Sequence, residues 1–67
     1  MATIKQLKYE EDTYEIIPHK NSHWQTVTKN KNVLCHVVDE PAAFQVIYYE
    51  TQSPMPLSDA DFIKIKR

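Results

Sequence analysis

Four side chains could hold a metal ion: His19, His23, Cys35 and His36. Imidazole and thiolate are good zinc ligands, and a four-coordinate site stabilises a small domain. His19 and His23 stand at His-x₃-His spacing, which ligates from a helix, but His-Lys-Asn-Ser-His reads as a loop. Cys35 and His36 are adjacent, so on a strand their side chains leave opposite faces. There is no second cysteine to complete a ligand pair. The expectation is therefore no metal, no cofactor, and a Cys35 that packs as a small apolar residue.

The same adjacency works against Cys35 as a nucleophile, because a reactive thiolate needs a base within reach. The flanking Val33 and Leu34 suit a buried, inert thiol. The carboxylates Glu10, Glu11, Asp12, Glu15, Asp39 and Glu40 could run acid–base chemistry only if their environments split their pKa values. They fall in or beside expected turns, where solvated charge is the default. The chain has no glycine, so a phosphate-cradling loop or a dinucleotide fingerprint cannot be built. Arg67 is its one arginine, which removes most bidentate phosphate recognition. The chain is expected not to be an enzyme.

Two binding chemistries remain. Lys29, Lys31, Lys64, Lys66 and Arg67, with an aromatic face drawn from Tyr9, Tyr14, Trp24, Tyr48 and Tyr49, could serve a small barrel that binds single-stranded nucleic acid. A formal net charge of −1 argues against that alternative. Protein binding is favoured, with Trp24, Tyr48 and Tyr49 as anchors, since tyrosine and tryptophan dominate interface energetics. Adjacent apolar pairs (Ile16 and Ile17, Val37 and Val38, Tyr48 and Tyr49) would face opposite sides of a regular strand. A chain of 67 residues cannot cover both faces of its sheet. An exposed face or edge is then left for a larger protein or for a second copy. Accessory and inhibitory factors of phages and mobile elements share this economy of size.

The compartment and the elements follow. One cysteine suits a reducing, cytoplasmic setting. No apolar run approaches the roughly 20 residues of a membrane helix, and the N-terminus lacks the apolar centre of a signal peptide. Residues 1–67 make a single domain. Thr3 to Tyr9 reads as a strand, although Ile4 and Leu7 also fit a helix. A turn at Glu10-Glu11-Asp12 leads to a second strand, Thr13 to Ile17, ended by Pro18. Trp24 to Lys29 alternates as a third strand. Asn30-Lys31-Asn32 turns the chain, asparagine taking the left-handed backbone in place of glycine.

Val33 to Val38 is apolar on both faces and reads as a central strand. It is expected to form a hairpin with a strand from Phe44 to Glu50, across Asp39-Glu40-Pro41-Ala42-Ala43. A helix beginning at Pro41 is the alternative, disfavoured by the run Val-Ile-Tyr-Tyr. Near the C-terminus, Ser58 caps a helical turn over Asp59 to Ile63. Asp61 acts as the capping-box acid, and Leu57 and Phe62 form a hydrophobic staple. Ile63 to Arg67 is a frayed helix end or a last strand. The sum is a mainly β domain: a curved sheet or SH3-like barrel of four to five antiparallel strands with one short C-terminal helical turn.

Overall fold

The computed structural model describes residues 3–55 and 57–66. The strands β1 (Thr3–Tyr9), β2 (Asp12–Pro18), β3 (Gln25–Lys29) and β4 (Asn32–Val37) follow in order, then the helix α1 (Glu40–Thr51), a 3₁₀ turn (Asp59–Asp61) and β5 (Ile63–Lys66). All pairings are antiparallel, and the order across the sheet is β4-β3-β2-β1-β5. The sheet is open, with β4 and β5 as its edges, so the barrel expectation is replaced by one sheet and one helix.

The chain makes its tight turns without glycine by using left-handed residues. Glu10 has φ 57° between β1 and β2, and Asn30 (52°) and Lys31 (70°) turn β3 into β4. Asn30 was expected in that role. Its amide oxygen accepts from the Thr13 N–H at 3.0 Å, and its Nδ2 donates to Asp12 at 3.0 Å, so the turn is tied to the start of β2. The second left-handed position falls on Lys31 rather than Asn32, where a Cβ is sterically costly.

The largest departure from expectation lies at Phe44–Glu50, which is helix and not strand. The Asp39 side chain caps it, accepting the Ala42 N–H at 3.0 Å, and Pro41 occupies the first turn, where no donor is needed. Gln52 ends it in the left-handed conformation (φ 51°). Ala43 and Ile47, one turn apart, are fully buried against the sheet. The principal helix thus sits mid-chain, not at the C-terminus. With that strand gone, Val33–Val38 is no longer central: β4 is an edge, and most of its residues are exposed.

The helix covers one face. Alternation and register put Leu7, Tyr14, Ile16, Val27, Cys35 and Val37 beneath it, and the core cluster holds the first four of these with Ala43, Ile47 and Phe62. At the C-terminal end, the expected cap forms within a single 3₁₀ turn. The Asp61 carboxylate accepts the Ser58 N–H at 2.8 Å, and Leu57 and Phe62 both join the core. Residues 63–66 then form β5, the strand alternative.

Two substitutions test this architecture. Lys31→Gly removes a Cβ from a left-handed turn and should raise stability by about 1 kcal/mol, seen as a Tm increase of roughly 4–8 °C. Ile47→Ala should cost about 2–5 kcal/mol, whereas Gln45→Ala, at an exposed position of the same helix, should stay within ~0.5 kcal/mol. Equal losses for the two would refute the helix placement.

Candidate functional site

The face of the sheet turned away from α1 carries Ile4, Gln6 and Lys8 of β1, Thr13, Glu15 and Ile17 of β2, Thr26 and Thr28 of β3, Val33 and His36 of β4, and Ile63 and Ile65 of β5. Its centre is polar. Glu15 is 4% exposed and accepts from Gln6 Nε2 at 3.2 Å. Thr26 Oγ1 lies 2.5 Å from His19 Nε2 and 2.9 Å from His36 Nδ1, and the two imidazoles meet edge to face at 5.5 Å. One hydroxyl can donate to one ring and accept from the other, so the three groups satisfy each other.

This pairing is not the one that residue spacing suggested. His19 meets His36, while His23 lies exposed in the loop and Cys35 sits on the helix side. Among the described residues, no group of three or more His, Cys, Asp or Glu side chains is placed to hold a metal. The other carboxylates divide among structural roles. Asp12 supports the Asn30 turn, Asp39 caps α1, Glu40 pairs with Lys5 at 2.6 Å, and Glu10 and Glu11 form an exposed turn.

The lysines of the nucleic-acid alternative are separated. Lys29 and Lys31 lie at the β3–β4 turn, and Lys64 and Lys66 on β5, beyond β2 and β1. At about 4.8 Å per strand, β3 and β5 stand roughly 14 Å apart. Lys29 is 3.8 Å from Asp12 and Lys64 is 3.4 Å from Asp59, so both face acidic neighbours. Arg67 lies outside the described residues.

The side chains expected as protein-binding anchors, Trp24, Tyr48 and Tyr49, stand at three places around the helix and β4. Tyr48 and Tyr49 are helix neighbours with ring centroids 5.5 Å apart, not opposite faces of a strand. Tyr48 turns toward Pro41, Phe44, Gln45 and Leu57, whereas Tyr49 joins Leu34, Cys35, Val46 and Glu50 around a groove of about 320 Å³ beside β4. At the other end of β4, Trp24 and Val38 line one depression. Of the seven large apolar side chains that stand exposed among the described residues, Trp24, Val33, Leu34, Val38 and Tyr49 therefore follow the β4 edge; Met55 and Ile63 do not. Val33, Leu34 and Val38 carry a signal the composition did contain. A strand with two apolar faces can be an edge as well as a centre.

The two edges differ in charge. Asn32–Val37 holds no acid, lysine or arginine, while Ile63–Lys66 alternates isoleucine with lysine. Lysine on an edge discourages a further strand from pairing, and β4 lacks that protection. A bulge interrupts its ladder with β3 between Val27 and Thr28, where Leu34 is the extra residue. Among the described residues, no helix is long and apolar enough to cross a membrane.

Lys5 fixes the opposite side. Its ammonium lies against Glu40 of α1 and Asp59 of the 3₁₀ turn, and 5.5 Å above the Phe44 ring. Burial alone would pull the Lys5 pKa down, but the hydrogen bonds and charges of Asp59 and Glu40 outweigh it and hold it above 10.5. The hydrogen bond from Lys5 holds the Asp59 carboxyl below its ordinary 3.8. The raised lysine contributes stability that is complete below 10.5 and lost as pH climbs through the folded value. The lowered carboxyl contributes stability present above 3.8 and lost as pH falls through the folded value. Lys5→Met, which keeps the apolar stem, should lower Tm by about 4 °C at neutral pH. Thermal scans across pH should show that gap closing in strong acid and again in strong alkali. A pH-independent gap would mean that the ion pairs contribute nothing.

No family model, curated protein or solved structure matches this chain, so its geometry alone carries the functional reading.

Proposed function

We propose that this protein is a small, non-catalytic protein-docking module, and that its contact surface is the β4 edge with its apolar border. The observation that supports this most is the contrast between the edges. One is guarded by Lys64 and Lys66, and the other presents Val33, Leu34 and Val38 between Trp24 and Tyr49. An open edge offers backbone donors and acceptors to an incoming strand, and side chains beside it supply affinity and register. Trp24 and Tyr49 are the outer anchors, and Tyr48, on the other flank of α1, stands behind them. The role is that of an accessory or inhibitory factor in the cytoplasm, acting by occupying a strand of a protein partner rather than by chemistry.

The test uses a tagged copy mixed with an untagged copy and with extract of the cells that make the protein. Whatever the wild type retains, untagged copy or other protein, should be lost with Leu34→Lys and kept with Ile63→Lys, which adds the same charge to β5. Retention that is indifferent to Leu34→Lys, or no retention at all, would overturn the reading.

A further inference from the structure

We infer that the strand added at β4 comes from a second copy of this chain, joined antiparallel across a two-fold axis to give a continuous ten-stranded sheet. This rests on the docking reading above and names the occupant of that edge. Three observations carry it. The first is closure: each chain has one edge without lysine, interrupted by the Leu34 bulge, and one guarded by lysine, so pairing β4 with β4 consumes both lysine-free edges. The assembly then ends at β5 on either side, where Lys64 and Lys66 stop further growth. An isologous pair of this kind is the commonest closed arrangement.

The second observation is charge. Residues 32–37 carry no acid, lysine or arginine, so two copies lying antiparallel bring no like charges together along the strand. A net charge of −1 gives no long-range repulsion between chains.

The third is the position of α1, which packs mainly over β3 and next over β4, well to one side of the sheet. A two-fold axis through a paired strand edge stands perpendicular to the sheet and keeps both helices on the same face. With each helix over β3 and β4, the two would lie between two and three strand spacings apart, roughly 10–14 Å. The shorter of these approaches the 8–10 Å of packed helices. The flanks that meet are those carrying Val46 and Tyr49, and the groove these form with Leu34 and Cys35 closes against its own copy. Glu50 is the one charge in that lining and is exposed.

Sedimentation equilibrium on the purified protein, from micromolar to millimolar, reads the result. The expected mass is twice the 7.9 kDa of the chain. Val33→Lys and Leu34→Lys should each weaken the dimer at least tenfold while leaving the circular dichroism spectrum unchanged. Ile63→Lys should have no effect on mass. Two variants on β4 are used so that misfolding of one does not leave the question open. A wild type that stays monomeric overturns the dimer. If that monomer still retains another protein in a Leu34-dependent way, the docking reading survives with a foreign partner. If it retains nothing, both fall. A dimer insensitive to both β4 substitutions would place the contact elsewhere and also overturn the inference.

Discussion

Everything in this structure depends on one helix having to cover a sheet wider than itself. Five strands at about 4.8 Å spacing span roughly 19 Å between the outer two, and a helix with its side chains is about 10–12 Å across. Ala43 and Ile47 of α1 bury completely over the strands beneath, with Val27 and Ile16 at the base of that contact. Toward β1, the remaining width is filled by other means. Phe62 stacks on Phe44 at 5.0 Å, and the Lys5 side chain lies under the Glu40 and Asp59 carboxylates. Toward β4, the helix itself lies over β3 and β4, and no described strand or helix stands beyond it. The apolar side chains of β4 and of the outer flank of the helix are therefore left together at an open border, which is the candidate site.

The opposite face solves the same shortage differently. A chain of this size has no second layer to cover it, so an apolar centre there would be exposed to water. Polar side chains stand in its place and bond to one another across strands: Gln6 to Glu15, and His19 through Thr26 to His36. These cross-strand bonds are the sheet's own covering, and they hold the loop before β3 against β4. Of the exposed face or edge expected from the sequence, the larger apolar surface lies at the β4 edge. Val33 and Ile63 remain exposed at opposite edges of this face, and apolar side chains scattered singly are ordinary for a protein surface.

The two edges differ in charge and in regularity. β5 closes its side with alternating lysines, and its pairing with β1 brings Ile65 opposite the buried Ile4. β4 is bulged at Leu34, and that irregularity tips an apolar side chain toward Val46 and Tyr49. A bulge re-aims a side chain at the cost of a ladder bond. Here it joins the strand edge and the helix flank into one continuous apolar border, with Trp24 and Val38 at its far end.

The sequence by itself determined the features that neighbours along the chain decide. Alternation marked β1, β2 and β3, Pro18 closed the second strand, Asn30 took a left-handed turn, and Ser58 with Asp61 capped the last turn. Residues 44–50 escaped because their apolar side chains satisfy both periods at once. Phe44, Val46 and Tyr48 alternate, while Ala43, Val46 and Ile47 also share a helix face. Only the packed structure chose between them. A helix buries Ala43 and Ile47 over strands that come from far earlier in the chain, and the Asp39 cap becomes effective once that helix forms. The same limit hid the site. Val33 to Val38 shows that its side chains are apolar, but which strands lie beside it is a fact about contacts distant in sequence. With α1 removed from the sheet, β4 had a neighbour on one side only, and a stretch that composition marks as core became the exposed edge.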